Sequence, residues 1–361
     1  MMALDYESLR LLALAGLLFC VAGLTAAEFF AAGVAALAPA LGADSVLWRR
    51  LLGPAVWQLG FLAAGLVLAA AAWPVAFAVF GGSLPWFLLF YVVVLGIRVF
   101  LLLAWPRWPQ ALTAAALKLL QYSGFSSLAV LGLIGGNLLK GAPFHLDSDM
   151  RNIFLGDGLG LLSPFALLAA ACAVAAGLLQ GVGFAAEALP AERVRAWGWR
   201  AGGAFGLLFI ACGLWIMHLE GYHISSELMT GGPSNPLNKF VKRGEGLWLD
   251  NYEHYWALAA VPFLSASGAA ASVFCLFKEK YLLARMGGAA AALFAVLTAA
   301  VSIFPFLLPS NRSLNSSLTI WDASASLLSL QWLAWFVVAL PLLAVLGWGL
   351  GRLSGEETSQ I

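Results

Sequence analysis

Ionisable side chains are scarce inside the apolar stretches of this sequence, so the few that occur there raise the first question of chemistry. Glu28 stands in TAAEFFAAG at the end of a long apolar run. A carboxylate in such a place is costly to bury and is normally retained to pass ions, to pair or to touch a ligand. The plainer reading is a membrane-edge glutamate hydrogen-bonded to a neighbouring helix. Gln58, in AVWQLGF, can orient a water but cannot carry a proton by ionising. Arg98, toward the inner end of a third run, is expected to snorkel to the interface or meet a lipid phosphate rather than serve chemistry. Gln121, Tyr122 and Gln180 read as polar bridges between helices.

Metal and haem chemistry need convergent ligands. The four histidines, His145, His218, His223 and His254, all fall in polar connections or at the ends of apolar runs. Haem iron wants axial ligands facing a pocket, and no histidine stands at mid-membrane, so the chain is expected to bind no haem itself. His218, Glu220 and His223 are metal-capable types, yet their spacing matches no firm metal pattern and reads as solvated loop polarity. Four cysteines, Cys20, Cys172, Cys212 and Cys275, lie within apolar runs without close pairing. They read as small buried hydrophobes, with no metal site and no disulfide. Asp322, Ser324 and Ser326 are placed to cap the last apolar helix.

The elements that must position these residues are membrane helices. The chain is 62% hydrophobic and 10% charged, where a soluble domain carries about a quarter charged residues. Runs of about 20 residues, enough to cross a hydrocarbon core, fall at Leu9–Glu28, Leu51–Ala72, Leu84–Ala104, Leu117–Leu138, Gly158–Gly181, Gly198–His218, Tyr255–Phe277, Gly287–Leu308 and Leu327–Leu350. This predicts an all-α integral membrane protein of nine helices in a single polytopic domain, 1–361. One larger extracytoplasmic loop spans 219–254, with its amphipathic end, Phe240 to Trp248, on the surface. Ala- and Gly-rich runs such as AAGLVLAAAA favour close helix approach.

Orientation follows from the basic residues. Arg49, Arg50, Arg107, Arg193, Arg195, Arg200, Lys278, Lys280, Arg285 and Arg352 share one side when the amino terminus is outside. The bias is clearest in the short loops, so the amino terminus is expected outside and the carboxyl terminus in the cytoplasm. Trp73, Trp86, Trp105, Trp197, Trp248 and Trp321 sit near span ends, as interfacial aromatics do. The start, MMALDYESLR, is acidic where a secretory signal is positive, so no cleavage is expected. The net charge of +1 says nothing about nucleic acid, and no basic tract suggests it as a partner.

Three polar passages carry a more specific signal: GNLLKGAPFHLD (Gly136 to Asp147), GYHISSELMTGGPSNPLNK (Gly221 to Lys239) and FPFLLPSNRSLNSSLTIWDASASLLSL (Phe304 to Leu330). In order and position they resemble the loops of subunit II of cytochrome bd-type quinol oxidases. The likeness is strong from about Gly136 onward and weak over the first two spans. It implies two four-helix bundles plus one peripheral helix in a bacterial cytoplasmic (inner) membrane. It also implies a partner, the haem-bearing subunit I, which holds haems b and d and the quinol-oxidising loop. Small single-helix subunits, membrane lipids and a structural quinone between the helices are further companions that the resemblance implies.

The family reads Trp-Asp-Gly-Asn-Gln in the second span, and its aspartate is thought to lead protons toward the partner's haems. This chain has no acid in that span. A proton path through it would rest on Glu28, with Gln58 orienting water. Arg98, Asn137, Asn235, Trp321 and Asp322 are then candidates for structural or interface roles, and no catalytic residue is expected in this chain. Two other readings stand beside this one. A secondary transporter would show broken helices with polar groups at mid-membrane, which are scarce here. A degenerate bd-like subunit with a purely structural role would suit the lost acids.

Overall fold

The computed structural model describes residues 4–42, 48, 51–226 and 230–357, apart from the side chains of Pro106 and 347–357. Arg49 and Arg50 lie outside the described residues, as does the side chain of Arg352. Among the described residues, nine helices are long and apolar enough to cross a membrane. They are Tyr6–Ala36, Leu52–Ala72, Pro85–Ala104, Gln110–Lys140, Pro164–Ala185, Ala191–His218, Trp256–Phe277, Tyr281–Ile303 and Leu327–Leu346, called here the first to ninth spans.

Local chemistry sets their starts. Asp5 accepts the Ser8 amide at 2.9 Å ahead of the first span. Ser163 caps the fifth, with Pro164 at its first position. The first span does not stop at Glu28 but continues to Ala36, because FFAAGVAA is as apolar as what precedes it and the charge is compensated internally. A short apolar helix, Pro74–Ser83, lies between the second and third spans. Two prolines, Pro74 and Pro85, each open a helix there, splitting what would otherwise be a loop.

The first four spans pack on one another, and so do the fifth to eighth. The fourth and first join the two groups through the fifth, while the ninth lies against the first and second. Two four-helix bundles and a peripheral helix result. Glycine permits the junction between them. A Cβ on Gly33 would run into the Gly177 carbonyl oxygen, and one on Gly181 would meet the Gly33 carbonyl. Gly124 similarly faces the backbone of Ala32 and Ala36. Backbones at this separation gain van der Waals contact that larger residues would forbid.

All three polar passages gather at the end of the bundles where the first span begins, and each contributes to a two-stranded hairpin. The pairs are Phe144–Leu146 with Asn152–Phe154, Glu220–Ile224 with Val241–Glu245, and Phe306–Leu308 with Leu318–Thr319. They interlock through side chains. Asn311 Nδ2 donates to Gly141 O at 2.7 Å, the Val241 amide donates to Asn315 Oδ1 at 3.0 Å, and the Leu146 amide donates to Ser316 Oγ at 3.1 Å. The segment Phe240 to Trp248 lies on the surface with Phe240, Lys242, Arg243 and Glu245 exposed, and it does so as a strand, with Val241 and Trp248 buried beneath it.

Several tryptophans also depart from an interfacial role. Trp73 and Trp248 are buried and donate to Ile320 O and Leu139 O, each at 3.1 Å. Trp321 is buried in the apolar cluster under the cap, whereas Trp86 remains largely exposed. An indole N–H that finds a carbonyl can leave the interface without cost to its polarity.

Two cations pin this cap. Arg10, fully buried, donates to Ser324 Oγ at 2.7 Å, Thr230 O at 2.5 Å, Gly232 O at 2.9 Å and Ser234 Oγ at 3.2 Å. Lys239 lies 2.9 Å from Asp322 Oδ2. Asp322 thus does not cap the last span. It binds Lys239 and accepts from Thr319 N and Oγ1, and Ser326 accepts the Ser329 amide instead. A buried ammonium nearby outcompetes a helix end for the carboxylate. Burial pushes the Asp322 carboxyl up and the Lys239 ammonium down from their ordinary values, with the pairing only partly offsetting it. Burial likewise pushes the Tyr222 phenol up to about 12.

The glycine junction is testable. Gly33→Leu is expected to abolish monodisperse protein in detergent, since no side chain fits against the Gly177 carbonyl. Gly206→Leu on the sixth span, with nothing within 4 Å of its Cβ position, should leave the size-exclusion profile of the chain unchanged.

Candidate functional site

Inside the first bundle four spans direct polar side chains at one point. The first contributes Glu28, the second Gln58, the third Tyr91 and Arg98, and the fourth Ser127. Tyr91 and Arg98 stand seven residues apart, two turns of helix, so they share a face. The Gly124 approach to Ala32 and Ala36 brings the fourth span close enough for Ser127 to join.

Arg98 Nη2 lies 2.5 Å from Glu28 Oε2, with the two side chains 1% and 0% exposed. Arg98 Nη1 donates to Ser127 Oγ at 3.0 Å, and that hydroxyl donates to Gly124 O at 3.3 Å. Gln58 closes the cluster. Its Nε2 donates to Glu28 Oε2 and, at 3.3 Å, to the Tyr91 hydroxyl, while its Oε1 accepts from Arg98 Nη2 at 3.4 Å. Glu28 Oε1 and Arg98 Nε have no protein partner.

The geometry corrects one expectation. Arg98 does not snorkel to the interface or reach for lipid phosphate, because a carboxylate on a neighbouring helix is within direct reach and the guanidinium turns inward to it. Glu28 is hydrogen-bonded to neighbouring helices, as the plainer reading has it, and its own helix runs on to Ala36. Either charge alone in this setting would cost several kcal/mol, and the pair cancels to neutrality. Chemically, the cluster offers a carboxyl group with one oxygen held fast and the other free.

Of the predicted residues, Glu28, Gln58 and Arg98 come together, and the rest do not join them. Asn137 donates to Leu133 O at 2.8 Å and Leu161 O at 2.9 Å, tying the fourth span to the loop before the fifth. Asn235 shapes a turn by accepting the Leu237 amide at 3.2 Å. Trp321 and Asp322 belong to the cap. Gln121 and Gln180 do bridge helices, reaching Ala36 O at 3.3 Å and Ala26 O at 3.4 Å.

The histidines disperse. His223 pairs with Asp250 at 2.9 Å and Glu220 with Arg243 at 2.7 Å. Among the described residues no group of three or more His, Cys, Asp or Glu side chains is arranged to hold a metal ion. Cys172 and Cys212 are free thiols packed in one apolar cluster of the second bundle.

Sequence reasoning missed Tyr91, Ser127 and the clamp made by Arg10. Tyr91 carried a usable signal, its seven-residue spacing from Arg98. Ser127 and Arg10 carried none that separated them from ordinary helix and loop polarity.

A family profile described as "Cytochrome bd terminal oxidase subunit II" matches residues 9–349. Among curated proteins, the "Cytochrome bd-I ubiquinol oxidase subunit 2" of Escherichia coli is 32% identical over 237 residues, covering 64% of this chain and 62% of that protein. The match thus spans a little under two thirds of that relative's length. The "Probable cytochrome oxidase subunit 2" of Haemophilus influenzae is 29% identical over 368 residues, 95% of this chain and 93% of its own. The bd oxidase structure from Geobacillus thermodenitrificans shares the fold at a TM-score of 0.67 and 16% identity, covering 96% of this chain and 98% of that one.

The buried pair makes a thermodynamic prediction. Arg98→Met alone strands Glu28 in an apolar bundle and is expected to cost about 3–5 kcal/mol of stability. Glu28→Leu with Arg98→Met together should recover most of that loss. Detergent-solubilised thermal melts of the single and double variants measure the difference.

Proposed function

The chain belongs to the cytochrome bd terminal oxidase subunit II family, and on that premise we propose that it is the non-haem subunit of a bacterial membrane quinol oxidase. The complex oxidises quinol and reduces dioxygen to water. The haem-bearing subunit I supplies haems b and d, which carry the electrons, and this chain scaffolds it. Reduction of dioxygen consumes protons as well as electrons, and this chain's contribution is Glu28. The observation that carries the reading is a carboxylate kept deep in an apolar bundle, with one oxygen bound by Arg98 and Gln58 and the other free. Gln58 orients and Glu28 exchanges.

An exposed groove of about 520 Å³ on the third and fourth spans, lined by Trp86, Phe87, Leu89, Phe90, Val93, Val130 and Leu133, suits an isoprenoid or acyl chain. A structural quinone would lay its tail there. Small single-helix subunits and lipids would cover the remaining apolar flanks.

A second reading, a degenerate bd-like subunit with a structural role only, is favoured by Gln58, which cannot ionise. Purifying the chain with its natural partners separates the two. Haem b and d bands and quinol-dependent oxygen uptake are expected in the wild-type complex. Glu28→Gln should lower turnover markedly with haem content unchanged. Full turnover in that variant would make the chain a scaffold, and a colourless complex would remove the oxidase reading altogether.

The excess of Arg and Lys in one set of short loops orients the chain with its amino terminus and cap outside. A cytoplasm-active reporter fused after Arg352 should therefore function, and a cysteine introduced at Gly231 should react with an impermeant thiol reagent in intact cells. Reaction only after permeabilisation would invert the assignment.

A further inference from the structure

Three residues, Lys278, Glu279 and Lys280, join the seventh span to the eighth at the end of the bundles opposite the cap. The turn closes tightly on the helix before it. The Glu279 amide donates to Leu276 O at 3.2 Å and the Lys280 amide to Cys275 O at 2.9 Å, the pair of bonds that ends a helix in a left-handed residue. That residue is Glu279, at φ 59°, where glycine is the ordinary occupant and a side chain is strained. Its carboxylate reaches the sixth span, where Arg195 Nη2 donates to Glu279 Oε1 at 2.6 Å. Gly198 and Gly202 let the sixth and seventh spans come this close, since a Cβ on them would strike Leu276 and Val273.

The turn is left with unbalanced charge. Glu279 is spent on Arg195, so it does not neutralise the lysine on either side of it. Lys278 and Lys280 are exposed, and among the described residues neither has a carboxylate at ion-pairing distance. Lys278 instead holds its ammonium 5.8 Å over the ring of Phe274, and that ring is exposed. Phe277 at the end of the seventh span and Leu282 in the first turn of the eighth are exposed as well. In a membrane such side chains meet acyl chains, and cations at their rim lie at the depth of the headgroups.

Cations in short loops also serve orientation. Orientation asks only for charge, whereas this turn holds two lysines in a strained conformation with the acid between them drawn off to another helix. We propose that the turn Lys278–Lys280 is a binding site for one anionic phospholipid. The two ammonium groups take its phosphate, and its acyl chains run along Phe274 and Phe277. Lysine meets phosphate as a point charge and needs no fixed fork geometry. The apolar face beside the cations selects a phosphate that carries hydrocarbon over a free one. The site is independent of any role of Glu28.

The test uses the complex purified with its natural partners, with native mass spectrometry counting bound lipid across a titration with dioleoyl phosphatidylglycerol. Lys278→Gln with Lys280→Gln is expected to retain one lipid fewer, at a dissociation constant raised about thirtyfold, each cation at a membrane surface being worth about fivefold. Arg107→Gln with Lys118→Gln removes two exposed cations from the same end of the first bundle and should leave that lipid in place. Equal loss in both variants would reduce the site to diffuse surface charge and overturn the proposal, as would wild-type binding in the Lys278/Lys280 variant. Two readings on the wild-type complex hold even if that variant does not assemble. Dioleoyl phosphatidylcholine is expected not to compete for the site, and excess inorganic phosphate not to displace the lipid. Competition by phosphatidylcholine would remove the selectivity for charge, and displacement by phosphate would make this a free-anion site; either defeats the assignment.

Discussion

The ion pair between Glu28 and Arg98 is the constraint from which the first bundle follows. Neither side chain can face lipid without losing its charge compensation, and neither can stay buried alone. The first and third spans must therefore approach at that depth, and both ends of the contact are fully enclosed. Gln58 and Ser127 extend the requirement to the second and fourth spans, because the remaining polarity of the guanidinium and carboxylate needs partners. In a bilayer, where lipid is as apolar as leucine, hydrophobicity does not select which helix meets which. One buried pair of charges with hydrogen-bonding neighbours can.

Close packing then determines how tightly that arrangement is held. Gly33, five residues beyond Glu28 on the same helix, is the crossing with Gly177 and Gly181 that ties the first bundle to the second. The polar cluster and the inter-bundle junction thus share one stretch of the first span. At the other end of that span Arg10 holds the cap through two backbone carbonyls and two serine hydroxyls. A single helix consequently aligns the buried pair, the second bundle and the loops.

The helices were legible because hydropathy over about 20 residues is a local quantity, and the polar passages were legible because their residue order is distinctive. What the sequence hid was pairing. Arg98 looked like a snorkelling residue because only its own helix was in view, and from there the interface is the nearest relief for a charge. The carboxylate that binds it lies 70 positions away. Asp322 looked like a cap for the same reason, since Lys239 enters from another loop. Glu28 could be singled out from cost alone, as a charge that no apolar helix keeps without compensation. Tyr91 offered only its seven-residue spacing from Arg98, because an aromatic residue in a membrane helix is ordinary until its hydroxyl is seen to have company.

The charge count of the cluster gives Gln58 its meaning. One guanidinium balances one carboxylate, and a second acid beside them would leave a net negative charge in a site with no further cation. The amide avoids that cost while keeping a donor for Glu28 and an acceptor for Arg98. It therefore preserves the geometry of the site and removes its second ionisable group. With one acid and one base held among neutral partners, the cluster depends on how Gln58 and Arg98 share Glu28 Oε2, while Oε1 stays without a protein partner.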